Sequence, residues 1–349
     1  MLPWQREAWP LYARQLAAGR HPAWLLHGPR GLGKWQLALA VAQARLCLSP
    51  NADATACGHC EACQPMRGFN QPDLQCLVPA ALRPGLGLPP TLSEQRDDKK
   101  AKSEEILVED MREVVAGFGL TQHGTRGRVC IVYPAEAMNP TTANTLLKTL
   151  EEPPAGALFL LVSHDVSALL PTVRSRCLAL AAPQAPPQQA LQWLESQGLD
   201  AAKASRLLSA SGGRPLLARA LAEQGDTLWQ LVHAAAQGQW QRLRGMDWKQ
   251  QPVQPAIELL QRWLLDVARV KAGAAPRGLP ELAAATRAAA ARLDWPRLRA
   301  LEQAFKRTAR HADHPVNAGL LMDALLIECE QLTAPHAAPV PAAASQPPR

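Results

Sequence analysis

Residues 23–34 read Ala-Trp-Leu-Leu-His-Gly-Pro-Arg-Gly-Leu-Gly-Lys, and their reading decides the fold. A short apolar run feeds a glycine-rich turn, and Gly28 to Lys34 fits G-x-x-x-x-G-K, a loop whose backbone N–H groups and lysine cradle phosphate at a helix N-terminus. Beyond it, Leu37, Val41, Ala44 and Leu48 recur at helical spacing. Strand, loop and helix agree, and that context separates a phosphate loop from a glycine-rich turn that holds nothing. Gly28, Gly33 and Lys34 are thus candidate nucleotide-binding residues.

Outward from this stretch, residues 129–133 and 157–163 are continuous apolar runs of the kind found in parallel strands covered on both faces. Between them Asn139 and Pro140 supply an N-cap and a proline at the first helical position, so the spacing predicts a helix that stops near Glu152, ahead of Pro153. Strands alternating with helices argue an α/β first half. Past Pro183, Pro186 and Pro187 the strand signals end and Ala/Leu/Gln/Arg helices take over, one carrying an apolar stripe at Ile257, Leu260, Leu264 and Val267. Residues 79–105, rich in Pro and Gly and then in charge, read as a mobile surface insertion. The Pro- and Ala-rich residues 334–349 read as a disordered tail.

Two parts of a nucleotide-hydrolysing site are missing. The position after the loop lysine should carry Ser or Thr to hold Mg²⁺, and it is Trp35. The strand at 129–132 should end in metal-binding and water-orienting acids, and it ends in Tyr133-Pro134, the first carboxylate being Glu136. Phosphoryl transfer depends on positioned charge, so two losses in one mechanism argue against hydrolysis. ADP or a bare phosphate is what the loop could still take.

The chain has 349 residues, a hydrophobic fraction of 47%, a charged fraction of 19% and a net charge of +7. That excludes global disorder and permits two or three domains. No run approaches the roughly 18 apolar residues of a membrane span, and the start, MLPWQREAWP, lacks a signal-peptide pattern, so a soluble cytoplasmic protein is expected. Residues 240–311 carry 14 Arg or Lys against six acids, an excess of eight that leaves the remainder at −1. Whatever basic surface exists belongs to the terminal helical region.

Of eight cysteines, four crowd together as Cys47-x9-Cys57-x2-Cys60-x2-Cys63. Four thiolates at that spacing suit tetrahedral Zn²⁺ in a closed, structural site. An iron–sulfur cluster is the rival, weakened because Arg67 stands where a fourth downstream cysteine is expected, and an empty thiol cluster is the other alternative. His59 lies inside a Cys-x-x-Cys turn and reads as solvent-facing.

The G-x-x-x-x-G-K loop, the cysteine cluster, Ala135-Glu136-Ala137-Met138-Asn139, the run Asn144-Thr145-Leu146-Leu147-Lys148-Thr149-Leu150-Glu151-Glu152-Pro153-Pro154 and Ser175-Arg176-Cys177 together resemble the bacterial clamp-loader subunits of the AAA+ family. The resemblance covers about residues 4–215 by motif and the rest by helical character. Active ATPase members keep Ser/Thr after the loop lysine and an Asp-Glu pair after the second strand; this chain departs at both places and so resembles the members that do not hydrolyse.

The resemblance implies α/β plus all-α architecture. An AAA+ parallel-sheet domain would occupy 1–182, with a zinc module at 47–63, followed by a helical lid at 183–244 and a C-terminal helical collar at 245–333. It implies a replication role in the DNA polymerase III complex, with gamma/tau and delta subunits as partners in a heteropentamer that places the sliding clamp on primed DNA. It makes Arg176 an arginine finger offered in trans to a neighbour's nucleotide, where a fixed charge and planar fork meet a γ-phosphate; the bland alternative is that Arg174 and Arg176 are solvated loop charges. Arg214 falls where ATPase members carry a second sensing arginine, and a helix cap or interface contact is an equal alternative. Two other functions compete: a working ATPase with unusual metal ligation, and a free-standing zinc-containing DNA-binding protein with steeply salt-dependent affinity.

Overall fold

The computed structural model describes residues 1–91, 103–118, 124–224, 227–244, 246, 248, 253–311 and 318–334. The central stretch of the expected 79–105 insertion, several residues at the start of the expected 245–333 collar and residues 335–349 of the tail lie outside the described residues.

Five strands, β1 (Ala23–His27), β2 (Leu74–Leu77), β3 (Arg128–Val132), β4 (Ala157–Ser163) and β5 (Leu178–Ala181), form one parallel sheet in the order β2-β3-β4-β1-β5. The three apolar runs become its centre, and all seven residues of β4 are buried. Alternate residues face opposite layers: Leu26, Ile131, Leu160 and Val162 join one core, while Leu25, Val132, Phe159 and Leu161 join the other. That two-sided burial is why these strands read as unbroken apolar runs. The edge strands β2 and β5 are four residues each with mixed exposure, too short and uneven to stand out in the sequence.

Helices α1 (Pro3–Ala18) and α2 (Lys34–Leu46) serve the first core, through Trp9, Tyr12, Leu37 and Val41. The helix after the loop is shorter than its Leu37–Leu48 pattern predicts. Cys47 is already extended, with φ −61° and ψ 129°, and turns toward the cysteine cluster, leaving Leu48 exposed. A four-residue α3 (Cys63–Met66) closes that cluster, and α4 (Val108–Phe118) precedes β3. Next, α5 (Pro140–Glu151) starts where its capping signals place it: Asn139 accepts from the Thr142 N–H at 2.9 Å. It packs Leu146 and Leu150 into the second core and ends one residue before Glu152. A single-turn α6 (Pro171–Arg174) leads into β5.

Among the described residues everything beyond β5 is helical: α7 (Pro187–Ser196), α8 (Ala201–Ala210), α9 (Pro215–Glu223), α10 (Thr227–Ala236), α11 (Val253–Lys271), α12 (Ala283–Arg292), α13 (Trp295–His311) and α14 (Ala318–Thr333), with short 3₁₀ turns between them. The chain divides into two compact units, residues 1–208 with 213–220, and residues 209–212 with 221–349. In the second, Ile257, Leu260, Leu264 and Val267 of α11 are all buried, as their stripe requires. Asp266 on the same helix is 1% exposed, and its carboxylate accepts the backbone N–H groups of Arg277, Gly278 and Leu279 at 2.8–2.9 Å. No described helix is long and apolar enough to cross a membrane.

Candidate functional site

The loop after β1 needs its glycines. Gly31 and Gly33 have φ of 87° and 84°, and a Cβ on Gly31 would meet the Cβ of Leu217 at 2.8 Å, while one on Gly33 would lie 2.2 Å from Leu2 Cδ1. The loop is thereby gripped between α1 and the start of α9. Its carbonyls are used one after another. Lys34 Nζ donates to Gly28 O at 2.5 Å and to Pro29 O at 2.8 Å; Arg214 Nη1 donates to Arg30 O at 3.4 Å; the Leu216 N–H donates to Gly31 O at 3.2 Å. Trp4 Nε1 donates to Leu32 O at 3.0 Å and Gln5 Nε2 to Gly33 O at 2.7 Å. Every carbonyl from residue 28 to 33 has a donor. Lys34 itself is 2% exposed. Trp4, Gln5 and Leu216 carry no motif signal, because what they supply is a contact across the fold. Arg214 sits at the N-cap of α9, its carbonyl accepting the Ala218 N–H at 2.9 Å, with its guanidinium on the loop of its own chain.

The two positions that depart from an ATPase lie together. Trp35 is 6% exposed, and its ring stands 5.3 Å from that of Tyr133 and 6.3 Å from that of Phe69, centroid to centroid. Tyr133 in turn meets His164 edge-on at 5.4 Å. Glu136, the first carboxylate after β3, accepts the His164 N–H at 2.9 Å. Burial raises the Glu136 carboxyl above its ordinary range. Burial first, and then the charges of Lys34 and Arg30, push the His164 imidazole well below its ordinary value. The region beside the loop lysine thus brings together the rings of Trp35, Tyr133 and His164 and the Glu136 carboxyl.

Arg176 stands just before β5. Its Nη2 lies 2.6 Å from Glu151 Oε1 and its Nη1 donates to Thr172 O at 2.9 Å; the side chains of Arg176 and Glu151 are 35% and 50% exposed. Arg174 makes one long bond, from Nη1 to Val166 O at 3.4 Å. β1 and β5 are adjacent and parallel, with Trp24 opposite Leu178 and His27 opposite Ala181. The loop follows the C-terminal end of β1 and Arg176 precedes the N-terminal end of β5, so four paired residues, roughly 13 Å of strand, lie between them.

The four cysteines converge. Their Sγ atoms all lie within 4.8 Å of one another, with Cys47 to Cys57 at 3.6 Å, Cys47 to Cys60 at 3.9 Å and Cys57 to Cys63 at 4.0 Å. Four ligands about 2.3 Å from a tetrahedral Zn²⁺ would sit about 3.8 Å apart, so the donor set fits that ion. The His59 N–H, followed by that of Cys60, favours the Cys57 thiolate and lowers its pKa against the effect of burial. His59 is exposed and outside the ligand set.

The profile of the family described as "DNA polymerase III, delta subunit" matches residues 4–185, more than half of the chain. The DNA polymerase III subunit delta' of Escherichia coli is 32% identical over 78% of this chain and 78% of its own length. This chain belongs to the delta' family of clamp-loader subunits. The delta' subunit of Pseudomonas aeruginosa is 38% identical over 64% of the chain, a match spanning 62% of that protein. More distantly, the tau subunit of Salmonella typhimurium is 32% identical over 48% of the chain and 22% of its own length. A delta' relationship agrees with the parallel sheet, the inserted cysteine cluster and the helical second half.

Proposed function

We propose that this delta'-family chain is a non-hydrolysing member of the clamp loader that supplies Arg176 in trans to the nucleotide of a neighbouring ATPase subunit. The ring contact between Trp35 and Tyr133 carries this reading, because it occupies the two positions where an ATPase needs a metal ligand and an acid. The strand topology supports it as well: Arg176 and the chain's own loop belong to opposite ends of adjacent strands, so the guanidinium serves a phosphate held by another subunit.

In this reading gamma/tau and delta subunits are the partners in a heteropentamer, residues 183–244 act as a lid and 245–333 as the collar that packs among those partners. Zn²⁺ holds Cys47, Cys57, Cys60 and Cys63 together structurally, and the complex works in the cytoplasm, opening a sliding clamp and placing it on primed DNA. A finger in trans contributes on the order of a thousandfold to a single site.

The test is ATP turnover, first by the pure chain and then by the complex reconstituted with gamma/tau and delta subunits and checked by co-elution. The pure chain is expected to be silent, and Arg176→Ala to slow the complex. Turnover by the pure chain that disappears in Lys34→Ala would instead establish a working ATPase.

A further inference from the structure

Of the two arginines on the turn that leads into β5, Arg174 donates to a backbone carbonyl, whereas Arg176 is held by a carboxylate, and that carboxylate comes from the last residue of α5. We propose that Glu151 is a positioning residue for Arg176, orienting its guanidinium before a neighbour's nucleotide arrives. The inference rests on reading Arg176 as a finger.

The geometry is that of a two-point mount. Nη2 is taken by Glu151 Oε1 at 2.6 Å and Nη1 by the carbonyl of Thr172 at 2.9 Å, with Ser175 Oγ at 3.5 Å from the same nitrogen. A planar fork held at both terminal nitrogens has its plane fixed, whereas a fork held at one can swing. Arg174, two residues earlier and held only by a carbonyl at 3.4 Å, lacks such a mount. A guanidinium carries five N–H donors, so those not engaged here remain to meet an external oxyanion.

The pair has little to do for the fold. An ion pair this exposed contributes little to stability. Its effect is instead to remove rotamer freedom from a long side chain that must be ordered when it engages a phosphate. The carboxylate also opposes the positive charge offered to that phosphate. The two effects on rate have opposite signs, which makes the proposal decidable: positioning predicts that loss of Glu151 slows turnover, shielding predicts that it quickens it.

The experiment measures ATP turnover of the reconstituted complex with clamp and primed DNA. Glu151→Ala is expected to lower kcat about 2- to 10-fold with KM for ATP and co-elution unchanged. Glu151→Gln, which keeps an acceptor at the same reach, recovers most of the rate, and Glu151→Asp, which keeps the charge but falls one carbon short, does not. Should Glu151→Ala disturb assembly, the Gln and Asp pair decides alone. The double variant with Arg176→Ala is expected to be no slower than Arg176→Ala. An unchanged or raised kcat in Glu151→Ala beside a slow Arg176→Ala overturns the role of Glu151 and leaves the finger standing. A double variant slower than Arg176→Ala also overturns it, and an Arg176→Ala complex of normal rate overturns both.

Discussion

The indole of Trp35 and the phenol of Tyr133 lie 5.3 Å apart, centroid to centroid, although 98 residues separate them in the chain. One follows the loop lysine and the other immediately follows β3. Around these two rings the chain has built a small aromatic cluster that runs on to Phe69 and His164.

Trp35→Ala is therefore expected to cost stability and restore no catalysis. Truncating a buried tryptophan costs about 3–5 kcal/mol, and here it also removes the contact with Tyr133. Urea unfolding of the variant measures the loss; a change under about 1 kcal/mol would mean the ring is not part of the core.

The half-buried His164 makes stability depend on pH. Its folded pKa lies below the unfolded value of about 6.5, so the unfolded chain binds the proton first and stability falls as pH drops from about 7 through 6.5 toward the folded pKa. Glu136 has the opposite sign, since its folded pKa is raised: its contribution is fully present below the unfolded carboxyl pKa and is lost as pH rises through the folded one. His164→Phe keeps a ring beside Tyr133 and cannot be protonated, so melting temperatures between pH 7 and 6 should be flatter than in the parent. Parallel curves would assign the dependence to another group.

Metal analysis should find about one zinc per chain and little iron. Cys60→Ser is expected to lower both the zinc content and the melting temperature, whereas Cys130→Ser, in the sheet core and outside the four-thiol cluster, leaves the zinc content unchanged. A chain purified under reducing conditions without metal, and as stable with a chelator as without, would make the cluster four free thiols.

Asp266→Ala is expected to destabilise the second unit by about 3 kcal/mol or more, because three backbone N–H groups lose their acceptor at once in a buried place. Asp266→Asn, which offers one acceptor oxygen, should lose less. Equal unfolding midpoints for Ala and parent would show that water replaces the carboxylate at no cost.

Long or capped elements were readable from residues alone. β1, β3 and β4 announce themselves because both of their faces are buried, and α5 because Asn139 and Pro140 mark its start. Strands β2 and β5 do not, since four residues with partial exposure carry neither alternation nor a continuous apolar run. The clustering of Cys47, Cys57, Cys60 and Cys63 was legible because three of the four stand at short, regular spacing. The donors that grip the loop, Trp4, Gln5 and Leu216, and the carboxylate on Arg176 were not, because a hydrogen bond between residues 25 to 185 apart leaves no local pattern.

Six successive loop carbonyls with a donor apiece also bear on motion. A phosphate loop that registers the arrival and departure of a phosphate needs a second arrangement to relax into, and this one has spent its acceptors on α1, α9 and its own lysine. Fastened at so many points, the loop has little freedom to rearrange by itself, and a push on it is passed directly to the helices that hold it.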